Sequence, residues 1–589
     1  MKQRIAVLLC LFVGSVGDLA AQGATYNYKY DDVLVKQTEI QALKDDLFGD
    51  STSYVDGGVV FKVTDVSVPN GTGPAVAFSR RLYPPRSIEG GNLVGSGSLV
   101  HETLGRYWKA DVPRIVGTYP SDSEFVKTGL ARCSLGRVVP NPVRTYPYNS
   151  LESIVFAYNF WHGLLLGLPE GEEEKILTMN PSARKPSDGM TYLYQTLSGN
   201  RVACLKNVRN ASGEGFMVLT PSGTKYYFDW MAVRQERGLR VPDGSVVGST
   251  TIGRTEVAFF ATKVQDRFGN EVVYTYDVSN PHRVTSISSS TGARIQISYD
   301  SSGRVGKVEA GGRTWLYSYS QDPNWPVTAW LGRVQQPDGT AWAYAYDSYL
   351  FATNDDFYRF GEKCDFSPRS MTTDGAAPLA SFRVTHPSGA IGQFKFKAIV
   401  HGTNNVPNGS CDMVAGSTAI YRLMSGRPKA SPLNTLVEKS ISGPGIQPLV
   451  WKLRYEPSWS YVHECTAGCP STSRTTLSRN DGYKEIYEFG NDFQRNANQL
   501  LKRSVSGLAT GSVVETYAYV TSPAGFPFSD FAAGPDGEEL ANSLDNPFTR
   551  KNRPQSSRVL EQDGSKFVRT VRKYDHFARP VEIAASREY

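Results

Sequence analysis

One phrase constrains this chain more than any other: a turn glycine followed seven residues later by a tyrosine, inside an alternating segment. It recurs four times in succession, from Gly269 to Tyr276, Gly292 to Tyr299, Gly312 to Tyr319 and Gly339 to Tyr346. The four tyrosines, at 276, 299, 319 and 346, stand 23, 20 and 27 residues apart, which is the spacing of a hairpin repeat with insertions. Alternation places Trp342, Tyr344 and Tyr346 on one face of a strand and Ala341, Ala343 and Ala345 on the other. A lone hairpin cannot bury such an aromatic face, whereas hairpins joined edge to edge can cover it along a curved sheet. The expected fold is all-β, a β-strand spiral of repeated antiparallel hairpins. Looser copies of the phrase start at Gly223, Gly389 and Gly482, and Gly564 precedes a further Tyr574-Asp575.

A second turn separates the copies. Its clearest form is Tyr299-Asp300-Ser301-Ser302-Gly303-Arg304-Val305; Tyr276-Asp277 and Tyr346-Asp347 keep the dipeptide, and Tyr574-Asp575 is followed by Ala578-Arg579 where Gly-Arg is expected. With these motifs the chain resembles the RHS or YD-repeat family of secreted bacterial proteins, most clearly over residues 260–350. The stretch from Leu47 to Arg80 resembles the leader that precedes such arrays. The resemblance implies a β-spiral that, in members with enough repeats, forms a shell around a toxin or effector polypeptide. The chain carries no Asp-Pro-x-Gly core signature and no distinct terminal domain, so the resemblance extends to a leader and a partial array. It also assigns Gly269, Gly292, Gly303, Arg304, Gly312 and Gly339, with the tyrosines and aspartates of the phrase, to the structure of the repeat.

Upstream, residues 57–68 and 75–80 read as two strands joined by the turn-rich Pro69 to Pro74, and Ile40, Leu43 and Leu47 recur at helical spacing. The expected organisation is a signal peptide over 1–21, a β-rich leader or capping region over 22–210, and the repeat array over 211–589. The signal reading rests on Lys2 and Arg4 ahead of the apolar run Ile5 to Val13 and a small-residue stretch, and it predicts a secreted, periplasmic or cell-surface protein. No later run is long and apolar enough for a transmembrane segment. Lys and Arg number 63 against 57 Asp and Glu, a net +6 without a basic stripe, so no nucleic acid partner is expected. Outside the signal, Cys133, Cys204, Cys364, Cys411, Cys465 and Cys469 form an even set suited to an oxidising compartment. Pairing of nearest neighbours would give Cys133 with Cys204, Cys364 with Cys411 and Cys465 with Cys469; the sequence leaves other pairings open.

Motifs of catalysis are missing from the sequence: there is no H-E-x-x-H, P-loop, Gly-x-Ser-x-Gly or dinucleotide glycine pattern. Turn hydrogen bonding accounts for Asp277, Asp300 and Asp347 without chemistry. The run from Glu170 to Glu174 reads as a solvated loop. No cofactor, metal or catalytic residue is therefore expected, and the mechanism is architectural. The competing reading is an adhesin-like protein that binds a cell-surface glycan or a protein through Trp315, Trp330 and Trp342. A secreted polysaccharide hydrolase ranks below both.

Overall fold

A computed structural model describes residues 46–82, 103–127, 131–134, 143–145, 153–155, 163–169, 171, 173–180, 183–242, 249–322, 325–346, 380–405, 430–456, 471–493, 495–508, 511–530 and 552–588. The expected signal sequence, the expected helix around residues 40–47 apart from its last two residues, Asp347 and the cysteines at 364, 411, 465 and 469 lie outside them. Residues from Phe48 onward form one unit.

The fold is all-β. From Leu177–Thr178 to Pro580–Glu588 every described strand pairs antiparallel with the one before it, within a sheet of 27 strands. The predicted continuity over 260–350 is seen in the described residues, which reach Tyr346. Glu271–Tyr276, Val284–Ser289, Arg294–Tyr299, Val305–Ala310, Arg313–Asp322, Trp325–Gln335 and Ala341–Tyr346 are hydrogen-bonded neighbours in that order. The ladder starts upstream of residue 211, at Leu177.

Ahead of it stands a four-stranded antiparallel sheet of β1 (Asp50–Thr52), β2 (Val59–Val68), β3 (Val76–Leu82) and β4 (Trp108–Ala110). The two strands read from the sequence are β2 and β3. Val59, Phe61 and Val63 alternate inward along β2, and then the register slips between Thr64 and Val66. The extra residue of that bulge is Asp65, whose side chain is buried. The next strand, β5 (Arg114–Pro120), leaves this sheet and joins the long one. The strand Ser249–Gln265 outruns its neighbour, pairing with Glu271–Val273 only over Lys263–Gln265, and β5 occupies the same edge over Arg254–Phe260.

The core lies between the leader sheet and the aromatic face of the array. Phe61 packs edge-on against Phe382 and Phe394 (centroids 4.9 and 4.8 Å apart) and Phe78 edge-on against Tyr317, while Trp108 meets Tyr344 at a tilt. Further along, Tyr54 stacks on Tyr487 at 4.5 Å.

Candidate functional site: the repeat staple and the leader-covered face

The repeat phrase resolves into a chain of hydrogen bonds that explains each of its residues. At the end of each tyrosine strand the following strand carries a bulge: Tyr276 pairs with Val284, Tyr299 with Val305, and Tyr319 with Leu331. The carbonyl at each bulged pair accepts the hydroxyl of the next tyrosine. Tyr299 donates to Val284 O, Tyr319 to Val305 O and Tyr346 to Leu331 O, each at 2.8 Å. The same device runs from Tyr276 to Ala261 O, from Tyr455 to Leu436 O, from Tyr519 to Leu500 O and from Tyr574 to Gln555 O. Bulges leave ladder groups unpaired, and a buried unpaired carbonyl is costly, so every tyrosine satisfies a defect created one repeat earlier.

The aspartate builds the turn. Asp300 Oδ1 accepts the amides of Ser302 and Arg304 (both 2.9 Å) while Oδ2 accepts Arg304 Nε at 3.0 Å. Gly303 sits at φ 80°, where a side chain would strain the backbone. The Arg304 guanidinium, held by Asp300, lies 4.6 Å from the ring centre of Tyr319, the tyrosine of the next repeat. Asp575 repeats this geometry, with its carboxylate on the Phe577 and Arg579 amides and on Arg579 Nε, and Ala578 adopts φ 59° in the glycine position. Asp277 accepts from the amides of Ser279 and Asn280.

The three tryptophans named as a candidate binding surface are buried. Trp330 is 4 % exposed, stacked on Tyr346 at 4.7 Å and covered by Arg106; Trp342 packs edge-on with His386; Trp315 lies beneath Arg313.

Two buried ion pairs accompany the leader on the array face. Arg80 and Asp65 form the first, at 2.7 Å with side-chain exposures of 0 % and 1 %. Tyr317 of the array donates to Asp65 Oδ2 at 2.7 Å, and the Arg80 guanidinium lies over the rings of Trp108 and Tyr344. Burial by itself would lower the Arg80 pKa, but the Asp65 carboxylate outweighs it and the guanidinium stays charged. The second pair joins Asp50 of β1 to Lys439 of the array, whose ammonium lies between Phe394 and Trp451. Backbone groups join as well: Thr435 donates to Asp56 O and Thr475 to Tyr54 O.

Two further clusters have no marker in the sequence. Glu485 accepts from Tyr483 and Tyr487 and from Arg503, and Arg503 also faces Glu515, which binds Tyr517 and Arg558. Alternation alone places Glu485 and Tyr487 on one buried face, but the partner arginine comes from another strand. The Glu170–Glu174 run is not wholly a solvated loop, since Glu173 binds Arg114 at 2.6 Å and Glu174 accepts from Ser198. Cys133 and Cys204 form a disulfide that joins the 131–134 turn to the strand Arg201–Leu205. Among the described residues no group of three or more His, Cys, Asp or Glu could hold a metal, and no helix is long and apolar enough to cross a membrane.

No protein-family model and no curated protein matches the chain. Among solved structures, TcdB2-TccC3 is similar with a TM-score of 0.26 at 10% identity, over 92% of this chain and 37% of that one. The same assembly without its hypervariable C-terminal region gives 0.27 at 10% identity (92% and 36%), and TcdB2-TccC3-Cdc42 gives 0.26 at 10% (90% and 36%). The chain spans little more than a third of the length of these structures.

Proposed function

We propose that this chain is a secreted structural scaffold of the RHS or YD-repeat type, part of a shell that encloses or delivers a toxin or effector polypeptide. The observation that carries the reading is the recurrent staple, in which successive tyrosines each bond the carbonyl of the preceding bulge, joined at the Tyr299-Asp300-x-x-Gly303-Arg304 turn by an arginine–tyrosine contact. Such a unit propagates by contact with its neighbours and has no need of catalysis. The leader supplies a cover for the aromatic face that the array cannot bury by itself.

Burial of Trp315, Trp330 and Trp342 weighs against glycan recognition through those rings. The test is co-expression with the polypeptides encoded beside it, followed by protease protection of any co-purifying partner. A partner shielded in the complex and cleaved when alone supports the reading. Saturable glycan binding or polysaccharide hydrolysis by the purified chain, with no shielded partner, would overturn it.

A further inference from the structure

A hollow of about 270 Å³ opens where the start of the ladder meets its last repeat. One wall is the hairpin of Tyr192–Gln195 and Arg201–Leu205, in which Gln195 and Arg201 are directly paired and so share a face of the sheet. The other wall is the segment 526–529 with His576 and Phe577 of the last Tyr-Asp turn. Two contacts hold the walls together: Asn180 Nδ2 donates to Asp530 O at 3.3 Å, and the Arg201 guanidinium lies 4.7 Å from the ring centre of Phe577.

Arg201 lacks what other buried arginines of the chain have. Arg80 and Arg81 are each held by an aspartate. Arg201 is 4 % exposed, yet among the described residues its side chain has no ion pair and no hydrogen bond, and its Nε is buried without an acceptor. Burial lowers its pKa, and no carboxylate opposes that shift. The Phe577 ring compensates only part of the cost of burying such a charge. No Asp or Glu is among the described residues that line the hollow. Neighbouring carboxylates are engaged elsewhere: Asp530 accepts the Asn552 amide, Asp575 holds Arg579, and Glu174 accepts from Ser198 and Asn200. Arg184, which is exposed, lines the same hollow, and its side chain also has no hydrogen bond or ion pair with a described residue.

We propose that this hollow binds a phosphate group, free or as the monoester of a small molecule, between Arg201 and Arg184, with the Gln195 amide beside them as a further donor. Two guanidinium charges without a lining carboxylate match a dianion, and their forked donors match phosphate oxygens. Leu197 and Phe526 line the hollow while 55 % and 38 % exposed, so they offer an apolar seat to the organic part of an ester.

The test is calorimetric titration of the whole chain with phenyl phosphate, inorganic phosphate and acetate at about pH 8, where phosphate groups are dianionic. A phosphate is expected to saturate one site, with acetate roughly tenfold weaker or worse. Tighter binding of phenyl phosphate assigns an ester; inorganic phosphate binding as tightly or more tightly assigns the free ion. Arg201→Met is expected to weaken binding by roughly tenfold or more, and to abolish the rise in thermal midpoint that saturating phosphate gives the parent chain. Arg184→Gln alters an exposed position, is expected to weaken binding by about tenfold, and decides the matter should Arg201→Met fail to fold. Absence of saturable phosphate binding, acetate bound as tightly as phosphate, or undiminished binding by either variant would overturn the proposal.

Discussion

Replacing Asp65 by alanine perturbs the leader at its most buried charge. The substitution leaves the Arg80 guanidinium, itself 0 % exposed, between Trp108 and Tyr344 without its carboxylate, and removes the acceptor of the Tyr317 hydroxyl. Removing one partner of a buried pair costs about 3–5 kcal/mol, chiefly because the remaining charge is uncompensated. The assay is native-state hydrogen exchange of the amides in β2 and β3. At about 1.4 kcal/mol per factor of ten, protection there is expected to drop by roughly two hundredfold to several thousandfold. The double variant Asp65→Leu with Arg80→Met removes both charges and should regain most of the loss, since a packed apolar pair substitutes for a buried ion pair at little cost. A loss below tenfold for Asp65→Ala, or a double variant no better than the single one, would refute the reasoning.

Four further outcomes are expected. Tyr299→Phe leaves the Val284 carbonyl unpaired and should destabilise the chain by about 1 kcal/mol in urea unfolding, with faster exchange localised at the neighbouring repeats. Reduction of Cys133–Cys204, whose partners are 71 residues apart, should cost about 4 kcal/mol by loop-closure entropy, measured as a fall in the denaturant midpoint with reductant. Burial lowers His401 from 6.5 to about 4, with Asp56 opposing, so the unfolded chain takes up a proton in that window that the folded chain refuses. Stability is therefore full above pH 6.5 and falls towards pH 4 by up to about 3 kcal/mol, a slope that His401→Gln should flatten in unfolding titrations. Gly392→Ala would place its Cβ 2.5 Å from the Phe48 ring, so it should loosen the leader and speed proteolysis ahead of β1.

The array was legible because its signal is local. The glycine-to-tyrosine interval fixes turn and face together, and Tyr276, Tyr299, Tyr319 and Tyr346 all take equivalent places in the ladder. The bulges were not legible, since a one-residue slip in pairing has no marker in a single strand; with them went the acceptor of each tyrosine. Ala578 shows the limit of reading glycine literally, for it adopts the same left-handed turn when the aspartate and arginine hold the frame. The joining of β5 to Arg254–Phe260 bridges well over a hundred residues and leaves no local pattern. Glu173 reads as one of several surface carboxylates because Arg114, its partner, stands 59 residues earlier on β5 and reaches it across the strand Leu165–Gly167. The repeat itself gives Trp315, Trp330 and Trp342 a face to pack, and they are buried; what the sequence does not show is the cover over Trp330, since Arg106 comes from far upstream.

The central claim is that successive repeat hairpins form one hydrogen-bonded sheet whose aromatic face is held under the leader. A side-chain-resolution cryo-electron microscopy map of the chain tests it most directly. The account predicts Tyr317 against Asp65, Tyr54 stacked on Tyr487, and the tyrosines at 299, 319 and 346 each bonded to the carbonyl of the preceding bulge. A map with the leader packed elsewhere, or with the strands of 260–350 divided among separate sheets, would contradict it.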